Sequence, residues 1–354
     1  MTTYKEIRGT NIEVLASDPS NPVAGQVWYN STDNVLKGSA GALTFAWATK
    51  NAINTARYGL RGAGTAASTI VFGGEPPKTG KTESYNGTNW TEVNDMNTAR
   101  QYMGAAGIQT GALAFGGYSS SPTNVTENWN GTNWTEVNDL NTSRFALCGA
   151  GNTNTAALAF GGDSSPKAVT ELWNGTNWTE VNDLNTARKE LTGSGLQPAA
   201  LAFLGKTAPG ARVANTEIWN GTNWTEVNNL NTDRRRNTAA FGAGNTSGIT
   251  FGGFSPAPGP SGSNIIITEQ WNGTNWTEVN DMNTGRVLMA GTGIVTAALA
   301  IGGESPRTAK TESWNGTNWT EVNDTNTARQ GGAASNLSAT AALYFGGETP
   351  PGSA

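Results

Sequence analysis

One nine-residue stretch, Asn-Gly-Thr-Asn-Trp-Thr-Glu-Val-Asn, occurs six times in this chain of 354 residues. The copies begin at Asn86, Asn130, Asn174, Asn220, Asn272 and Asn315. Self-similarity at a period of roughly 45 residues indicates a repeat architecture, in which each unit buries its apolar face against the next one. The repeat therefore constrains the fold more strongly than any other feature of the sequence.

The number of units follows from an arginine that closes each copy. Every copy is followed by Asn-Thr-x-Arg, and a degenerate copy in residues 47–57 keeps the ten-residue spacing from Trp90 to Arg100. The seven arginines are Arg57, Arg100, Arg144, Arg188, Arg234, Arg286 and Arg329. Seven units fill the chain from residue 44 onward, which predicts one repeat domain over residues 44–354 and an N-terminal appendage over residues 1–43.

Each unit reads as four short strands. In the second unit, apolar runs at 102–108 and 112–115 are too short and too rich in glycine for helices. Runs at 125–129 and 133–137 follow, separated by Asn-Gly, which favours a hairpin because both residues accept the positive φ of a type I′ turn. Whether the hairpin loop has two or four residues, the two tryptophans fall on one face of the sheet, and they are expected to pack between units. Four strands in about 45 residues make a propeller blade.

The second strand of most units ends in an apolar residue and two glycines. These ends begin at Phe72, Phe115, Phe160, Phe251, Ile301 and Phe345, whereas the fourth unit has Phe203-Leu204-Gly205. Together with the following Glu-x-aromatic, the tryptophan and the arginine, this pattern resembles the kelch repeat over residues 44–347. The resemblance implies a β-propeller, a fold that hosts many unrelated functions.

The ends of the chain are expected to meet in one blade. The sequence has seven of these arginines but only six complete Trp-containing hairpins. Residues 348–354 are too few for the two strands that the seventh unit still needs. Residues 44–49 would supply the outermost strand of the last blade, and residues 27–29 or 35–37 its neighbour. We therefore predict an all-β, seven-bladed kelch-like β-propeller closed by N- and C-terminal strands in one blade, which removes open sheet edges.

Variation in length is confined to one loop of each unit. The interval from the second glycine to the next Thr-Glu runs from 8 residues after Gly74 to 15 after Gly253. These loops join the second and third strands and so project from one face, where insertions often mark a binding surface. The residues just after the glycines, which predict ligand binding, are Glu75, Tyr118, Asp163, Phe254 and Glu304. The alternative is that the loops are tolerated surface turns.

The seven arginines precede the innermost strand of each unit, so we expect a ring about the axis. Like charges in a ring repel unless they are paired, and each unit supplies acids, such as Glu127, Glu136 and Asp139. A structural role, with hydrogen bonds to acids and strand-end carbonyls that lock neighbouring blades, is the first expectation. An anion site on the axis is the alternative.

The sequence lacks residues that several kinds of chemistry require. The chain has no histidine, which argues against His-based catalysis and most zinc, copper and iron sites, so neither a metal nor a cofactor is expected. Its single cysteine, Cys148, is expected to pack rather than react. The net charge of −5 gives no case for nucleic acid, and no apolar run would insert into a membrane. We expect no enzyme, although a propeller glycosidase or oxidase is an alternative.

A second resemblance concerns the appendage. Residues 18–38 resemble a short hairpin module of structural proteins in tailed bacteriophages. With no signal peptide at the start, this implies a virion protein assembled in the host cytoplasm, present in several copies. The expected partners are other virion proteins or a host-surface glycan, in a tail fibre or a decoration protein. The alternative is a kelch-type cellular scaffold for protein–protein interaction.

Overall fold

The computed structural model describes the chain in nine segments. They are residues 12–19, 27–38, 46–163, 165–235, 238–241, 244–255, 263–304, 306–335 and 338–349. Every regular element in these segments is a β-strand. The chain divides into two compact units, Met1–Ala46 and Trp47–Ala354.

The first unit contains one three-stranded sheet. Its strands are β1 (Glu13–Leu15), β2 (Val27–Asn30) and β3 (Val35–Gly38), with β1 parallel and β3 antiparallel to β2. Both segments considered for the neighbouring strand of the closing blade pair with each other in this sheet. That some part of residues 1–43 completes the closing blade stays a prediction.

Asp18 fastens the hairpin of the first unit. Its carboxylate accepts hydrogen bonds from Nε1 of Trp28 (3.1 Å), Nδ2 of Asn30 (2.8 Å) and Nζ of Lys37 (2.8 Å). The bonds from Lys37, Asn30 and Trp28 stabilise the charged form and lower the pKa of Asp18 to about 2. The hairpin predicted from sequence is therefore held by its polar residues.

The second unit is built from repeated antiparallel sheets. Six of them have four strands in the order of the chain. Their strands are β4–β7 (Arg61–Thr65, Ser68–Phe72, Thr82–Tyr85, Trp90–Val93), β8–β11 (Gly104–Ile108, Gly111–Phe115, Thr126–Trp129, Trp134–Glu136), β12–β15 (Cys148–Thr153, Ala156–Phe160, Thr170–Trp173, Trp178–Glu180), β16–β19 (Thr192–Leu196, Ala199–Phe203, Thr216–Trp219, Trp224–Val227), β20, β21, β24 and β25 (Thr238–Phe241, Gly248–Phe251, Thr268–Trp271, Trp276–Val279), and β26–β29 (Ala290–Ile294, Ala297–Ile301, Thr311–Trp314, Trp319–Val322).

Two smaller sheets complete this unit. A hairpin of β22 (Phe254–Ser255) and β23 (Ser263–Asn264) lies in the loop of the fifth sheet, and β30 (Ala333–Ala334) pairs with β31 (Tyr344–Phe345) after the sixth. The first strands of successive sheets are neighbours, from β4 through β30. Sheets that meet at their first strands are arranged as the blades of a β-propeller, as predicted.

The cores lie between successive sheets, and tryptophan dominates them. Trp134 of the second sheet packs against Phe72 of the first at 4.8 Å between ring centroids, and its Nε1 donates to Oγ1 of Thr82 at 2.9 Å. The fourth-strand tryptophans of the third to sixth sheets make the same bond to the preceding sheet at 2.9–3.0 Å. Packing between units, the expected role, is confirmed.

The Asn-Gly hairpins differ in detail from the prediction. Trp129 pairs with Trp134, so the loop has the four residues 130–133, and of these only Gly131 has a positive φ, of 94°. Oδ1 of Asn130 accepts the amides of Thr132 and Asn133 at 2.9 Å each. The asparagine therefore caps the loop through its side chain, and a type I′ turn with two positive φ values was wrong.

The two glycines that end a second strand allow close approach of the next linker. Gly116 and Gly117 have φ values of 61° and 108°, and the amide of Gly117 donates to the carbonyl of Arg144 at 2.9 Å. A Cβ atom on Gly116 would lie 2.7 Å from that carbonyl. The glycine pair is thus required where a sheet meets the segment that leads from it to the next sheet.

Residues before the first sheet contact the end of the chain. Residues 46–49, which were expected within the outermost strand of the last blade, form no regular strand. Nε1 of Trp47 nevertheless donates to Oγ1 of Thr311 at 3.2 Å, the bond that the fourth-strand tryptophans of the second to sixth sheets make. The rings of Trp90 and Phe345 lie 5.4 Å apart, and the amide of Gly347 donates to the carbonyl of Arg57 at 3.3 Å. Each contact repeats one found between successive sheets elsewhere in this unit.

Candidate functional site

Six of the seven repeated arginines form buried ion pairs. Arg100 lies 2.5 Å from Glu127, and both side chains have no exposed surface. The equivalent pairs, with nitrogen-to-oxygen distances of 2.5–3.1 Å, are Arg57–Glu83, Arg144–Glu171, Arg188–Glu217, Arg234–Glu269 and Arg286–Glu312. Each glutamate lies on the third strand of the sheet that follows its arginine.

Each of these arginines lies in the segment between two successive sheets and binds both of them. The carbonyl of Arg100 accepts the amide of Gly74 at 3.0 Å, which ties it to the first sheet. Its guanidinium reaches Glu127 and the carbonyl of Ala114 (3.2 Å) in the second sheet. Amide and side-chain groups of Asn97 bind the same glutamate at 2.6 and 2.9 Å. The expected hydrogen bonds to acids and strand-end carbonyls, which lock neighbouring blades, are present.

The arginines are not exposed at the axis. Burial in a medium of low polarity lowers the pKa of Arg100, Arg144, Arg188 and Arg286, and it lowers the pKa of Arg234 to about 10. A guanidinium with no exposed surface and a glutamate partner has no free face for a dissolved anion. The burial and pairing of these six side chains therefore support the structural role over the alternative of an axial anion site.

Arg329 departs from this pattern. It is half-buried, donates to the carbonyl of Gly346 at 3.1 Å and lies 5.5 Å from the ring centroid of Tyr344. No glutamate ion pair to Arg329 occurs within the described segments. The described part of the last sheet has only β30 and β31, so the third strand that carries the glutamate elsewhere is missing from it.

The predicted ligand-binding residues occupy equivalent positions at one end of the sheets. Backbone pairing joins each of them to the residue after a repeated arginine. We call the set of these equivalent positions, one in each unit, the tier. The pairs are Tyr58 with Glu75, Gln101 with Tyr118, Phe145 with Asp163, Arg235 with Phe254 and Val287 with Glu304. We call the end of the sheets that carries this tier the loop face. Residues 256–262 of its longest loop lie outside the described segments.

Sequence reasoning missed two members of the tier. Lys206 pairs with Lys189 in the fourth unit, and Glu348 pairs with Gln330 in the last one. Lys206 was missed because Leu204 replaces the first glycine there, although Leu204 keeps the positive φ of 60°. Glu348 directly follows Gly347, so the same rule that selected Glu75 could have found it.

The tier residues have different surroundings and do not converge on one point. Tyr118 packs edge-on against Phe145, with centroids 5.2 Å apart, and Nζ of Lys78 lies 4.6 Å from its ring centroid. Asp163 lies 3.4 Å from Nζ of Lys167. The carbonyl of Glu304 accepts Nδ2 of Asn264 at 3.2 Å. This arrangement can form several separate polar contacts with a broad ligand.

The guanidinium groups of Arg212 and Arg235 lie over the ring of Phe254. Their distances from the ring centroid are 5.3 and 5.1 Å, which is the range of cation–π contact. Phe254 was predicted as an aromatic surface for a ligand. Its ring instead contacts two cations, one from the second-to-third-strand loop of the fourth unit and one from the segment before the fifth sheet.

Cys148 and Arg61 face each other near the first strands. Burial is the main cause that raises the pKa of the Cys148 thiol to about 11, and burial lowers the pKa of Arg61. A thiol with so high a pKa carries little thiolate at neutral pH, and thiolate is the reactive form. Cys148 also packs against the core between the third and fourth sheets, in agreement with a packing role.

The described segments lack two features that would indicate a particular class of protein. They contain no group of three or more Cys, Asp or Glu side chains placed to hold a metal ion. They also contain no helix long and apolar enough to cross a membrane.

Comparison with known proteins supports the fold but does not indicate a function. No protein-family model matches the chain, and no curated protein matches it significantly. Among solved structures, YjhT, a kelch-like β-propeller, matches with a TM-score of 0.58 and 14% sequence identity, over 77% of this chain and 99% of the YjhT chain. At this level of identity the likeness concerns the fold alone, and the chain adopts a β-propeller fold similar to that of YjhT.

Proposed function

We propose that the second unit is a closed ring of seven blades, with the last blade made from both ends of the chain. The contacts of Trp47 with Thr311 and of Phe345 with Trp90 support closure, because each repeats a contact between successive sheets. The bond from Gly347 to Arg57 supports it in the same way. A closed ring places every second-to-third-strand loop on the loop face.

On this scaffold we propose a non-catalytic bacteriophage virion protein that binds a host-surface glycan or another particle protein through the loop face. The observation that carries the proposal is the tier of unlike side chains at equivalent positions, next to the segments whose length varies most between units. A rigid, repeated frame with variable residues at one end is suited to recognition. The buried arginines and tryptophans belong to the frame.

The first unit supports attachment to a particle. Its small sheet exposes the apolar side chains of Val14, Val27, Val35 and Leu36, and of Ile12 beside it. Exposed apolar surface on a small sheet favours contact with another protein. In the proposed virion protein, residues 1–43 are the part nearest the attachment to the particle.

Shortening residues 254–264 to a Gly-Ser turn tests the loop face. We expect the adsorption of particles to host cells to fall by at least about tenfold, as for the loss of one strong interface contact. The melting temperature is expected to stay within about 3 °C, because loop length contributes little to stability.

The matched control lies at the opposite end of the sheets. Ile108 and Ile294 are exposed next to first-to-second-strand turns, and a chain with Ile108→Ser and Ile294→Ser is expected to adsorb normally. Normal adsorption but failed incorporation of the shortened chain would assign the loop face to a particle protein. Normal adsorption and normal incorporation, or measurable hydrolase or oxidase turnover, would contradict the proposal.

A further inference from the structure

The last unit keeps the repeated arginine but lacks the acid that binds it in the other units. In each of the other six, a glutamate stands seven residues before the fourth-strand tryptophan, as Glu83 does before Trp90. Trp47 makes the bond of such a tryptophan, to Oγ1 of Thr311, and the residue seven positions before it is Ala40. The sequence therefore gives Arg329 no glutamate at the position that serves the other arginines.

The contacts of Arg329 agree with this difference. Nη1 donates to the carbonyl of Gly346 at 3.1 Å, and the guanidinium lies 5.5 Å from the ring centroid of Tyr344. Arg329 forms no ion pair with an acid of the described segments, and its Nη2 donates to none of their residues. The ring of Tyr344 attracts the charge but accepts no hydrogen bond in the plane of the guanidinium, where carboxylates bind.

Two backbone amides beside Arg329 lack the same acceptor. In the other six units, the amide of the asparagine three residues before the arginine donates to the glutamate at 2.5–2.8 Å. In four of them the amide of the next residue, a threonine, does so at 3.2–3.4 Å. The amides of Asn326 and Thr327 donate to no residue of the described segments. The groups that surround one carboxylate elsewhere are therefore present here without it.

The segment that carries these groups is held as in the other units. The amide of Gly303 donates to the carbonyl of Arg329 at 2.9 Å, as Gly117 does to Arg144. The amide of Thr325 donates to the carbonyl of Ala309 at 3.0 Å, in the same place as a bond of the second unit. The backbone is thus positioned for a carboxylate before one binds, which lowers the cost of binding.

The sheet edge next to Arg329 differs from the others in the same way. In the six four-stranded sheets, the residue after the second strand donates its amide to the residue before the third strand at 2.9–3.2 Å. In the described part of the last sheet, β31 pairs with β30 alone, and the amide of Gly346 has no such bond. Residues 27–29 and 35–37, which were expected beside it, lie in β2 and β3 of the first unit. A strand edge of this kind can accept an extended peptide.

We propose that an extended segment of another protein takes the third-strand position of the last blade and places a glutamate on Arg329. In the second sheet Glu127 lies opposite Ala114, so the glutamate of the added strand would lie opposite Tyr344. Its carboxylate would accept the guanidinium and the amides of Asn326 and Thr327, and its backbone would accept the amide of Gly346. A saccharide or a small acid offers the carboxylate but no backbone for β31. The inference rests on the proposed closing blade and is separate from the loop face.

A peptide copied from the second unit tests this. The probe is residues 124–131 with blocked ends, titrated into the full chain by isothermal titration calorimetry. We expect it to bind at least about tenfold more tightly than the same peptide with Glu127→Gln. In the chain, Arg329→Gln is expected to weaken binding of the glutamate peptide by a similar factor. Propionate presents the carboxylate without a strand, and it is expected not to displace the peptide at equal concentration.

The matched control removes one positive charge elsewhere. Lys81 forms an exposed ion pair with Glu92, and Lys81→Gln is expected to leave the affinity unchanged. Equal losses in Lys81→Gln and Arg329→Gln would assign binding to net charge and overturn the inference. If Arg329→Gln lowers the melting temperature, the two peptides still decide with the wild-type chain, since equal affinities would overturn a carboxylate on Arg329.

The remaining outcomes identify other occupants. No binding of the peptide, or propionate that competes as well as the peptide, would overturn the added strand. Binding that appears only after removal of residues 1–38 would assign the position to the chain's own N-terminal segment. Self-association that Arg329→Gln abolishes would assign it to a second copy, and both results would overturn the separate protein. If the peptide does not bind but shortening residues 254–264 still prevents adsorption, the loop face stands and only this inference fails.

Discussion

Removal of residues 1–57 is expected to abolish cooperative unfolding of the remaining chain and to cause aggregation. The deletion removes Trp47 from its bond to Thr311 and removes Arg57 from Glu83, which then stays buried without its partner. Breaking one buried ion pair from one side costs about 3–5 kcal/mol. The deletion also exposes strand edges of the first and last sheets, which can recruit other chains. Circular dichroism on heating and size-exclusion chromatography measure both effects.

A shorter deletion is the control. Removal of residues 1–38 takes away β1–β3, which belong to the other compact unit, and leaves residues 47–57 in place. A melting temperature near that of the full chain would place the closing strands within residues 39–57. If the two deletions are equally destabilising, a strand within residues 1–38 completes the last blade. A normal melt after removal of residues 1–57 would contradict closure by the N-terminal segment.

Trp178→Ala is expected to lower the free energy of unfolding by about 3–5 kcal/mol, as for other large aromatic residues truncated in a core. The Trp178 ring is 6% exposed and lies 4.9 Å from the ring of Phe115 in the preceding sheet. Its Nε1 donates to Oγ1 of Thr126 at 3.0 Å. The substitution leaves a cavity between two sheets and a buried hydroxyl without its donor. Urea unfolding followed by circular dichroism measures the loss.

The neighbouring residue supplies the matched control. Thr179 is exposed on the same strand, and Thr179→Ala is expected to change stability by less than about 0.5 kcal/mol. Unchanged stability of Trp178→Ala together with lost ligand binding would make the tryptophans binding residues, and the structural role would be wrong.

The frame could be predicted from sequence because its signals are local and repeated. Alternating apolar residues, the glycine pair and the Asn-Gly loop fix strands and turns within one unit, and repetition then gives their arrangement. The acid that pairs with the repeated arginine was not predicted, because the sequence offered several in each unit. Glu127 binds Arg100, Glu136 is exposed, and Asp139 accepts the amide of Thr126 at 2.9 Å. Which acid is buried depends on the face and register of the strands.

The site was harder to predict because it depends on what neighbouring units bring together. The five tier residues were found from one rule, the position after the glycines. That rule did not select Lys206, because the fourth unit has Leu204 in place of the first glycine. Arg212 and Arg235 belong to different units, and only the fold brings both of them to the ring of Phe254.

The proposed closure of the ring would place all the variable loops on one face, and the functional proposals depend on it. The most direct measurement is cross-linking between residues at opposite ends of the chain. Nδ2 of Asn326 donates to Oγ1 of Thr49, and both residues are outside the cores. In a Cys148→Ala background, Thr49→Cys with Asn326→Cys is expected to cross-link rapidly within one chain with a short bismaleimide, as mass spectrometry of the digest would show. Thr49→Cys with Asn182→Cys, on the third sheet, is expected to remain unlinked. Cross-linking that is absent, or equal in the two pairs, would contradict a closed ring.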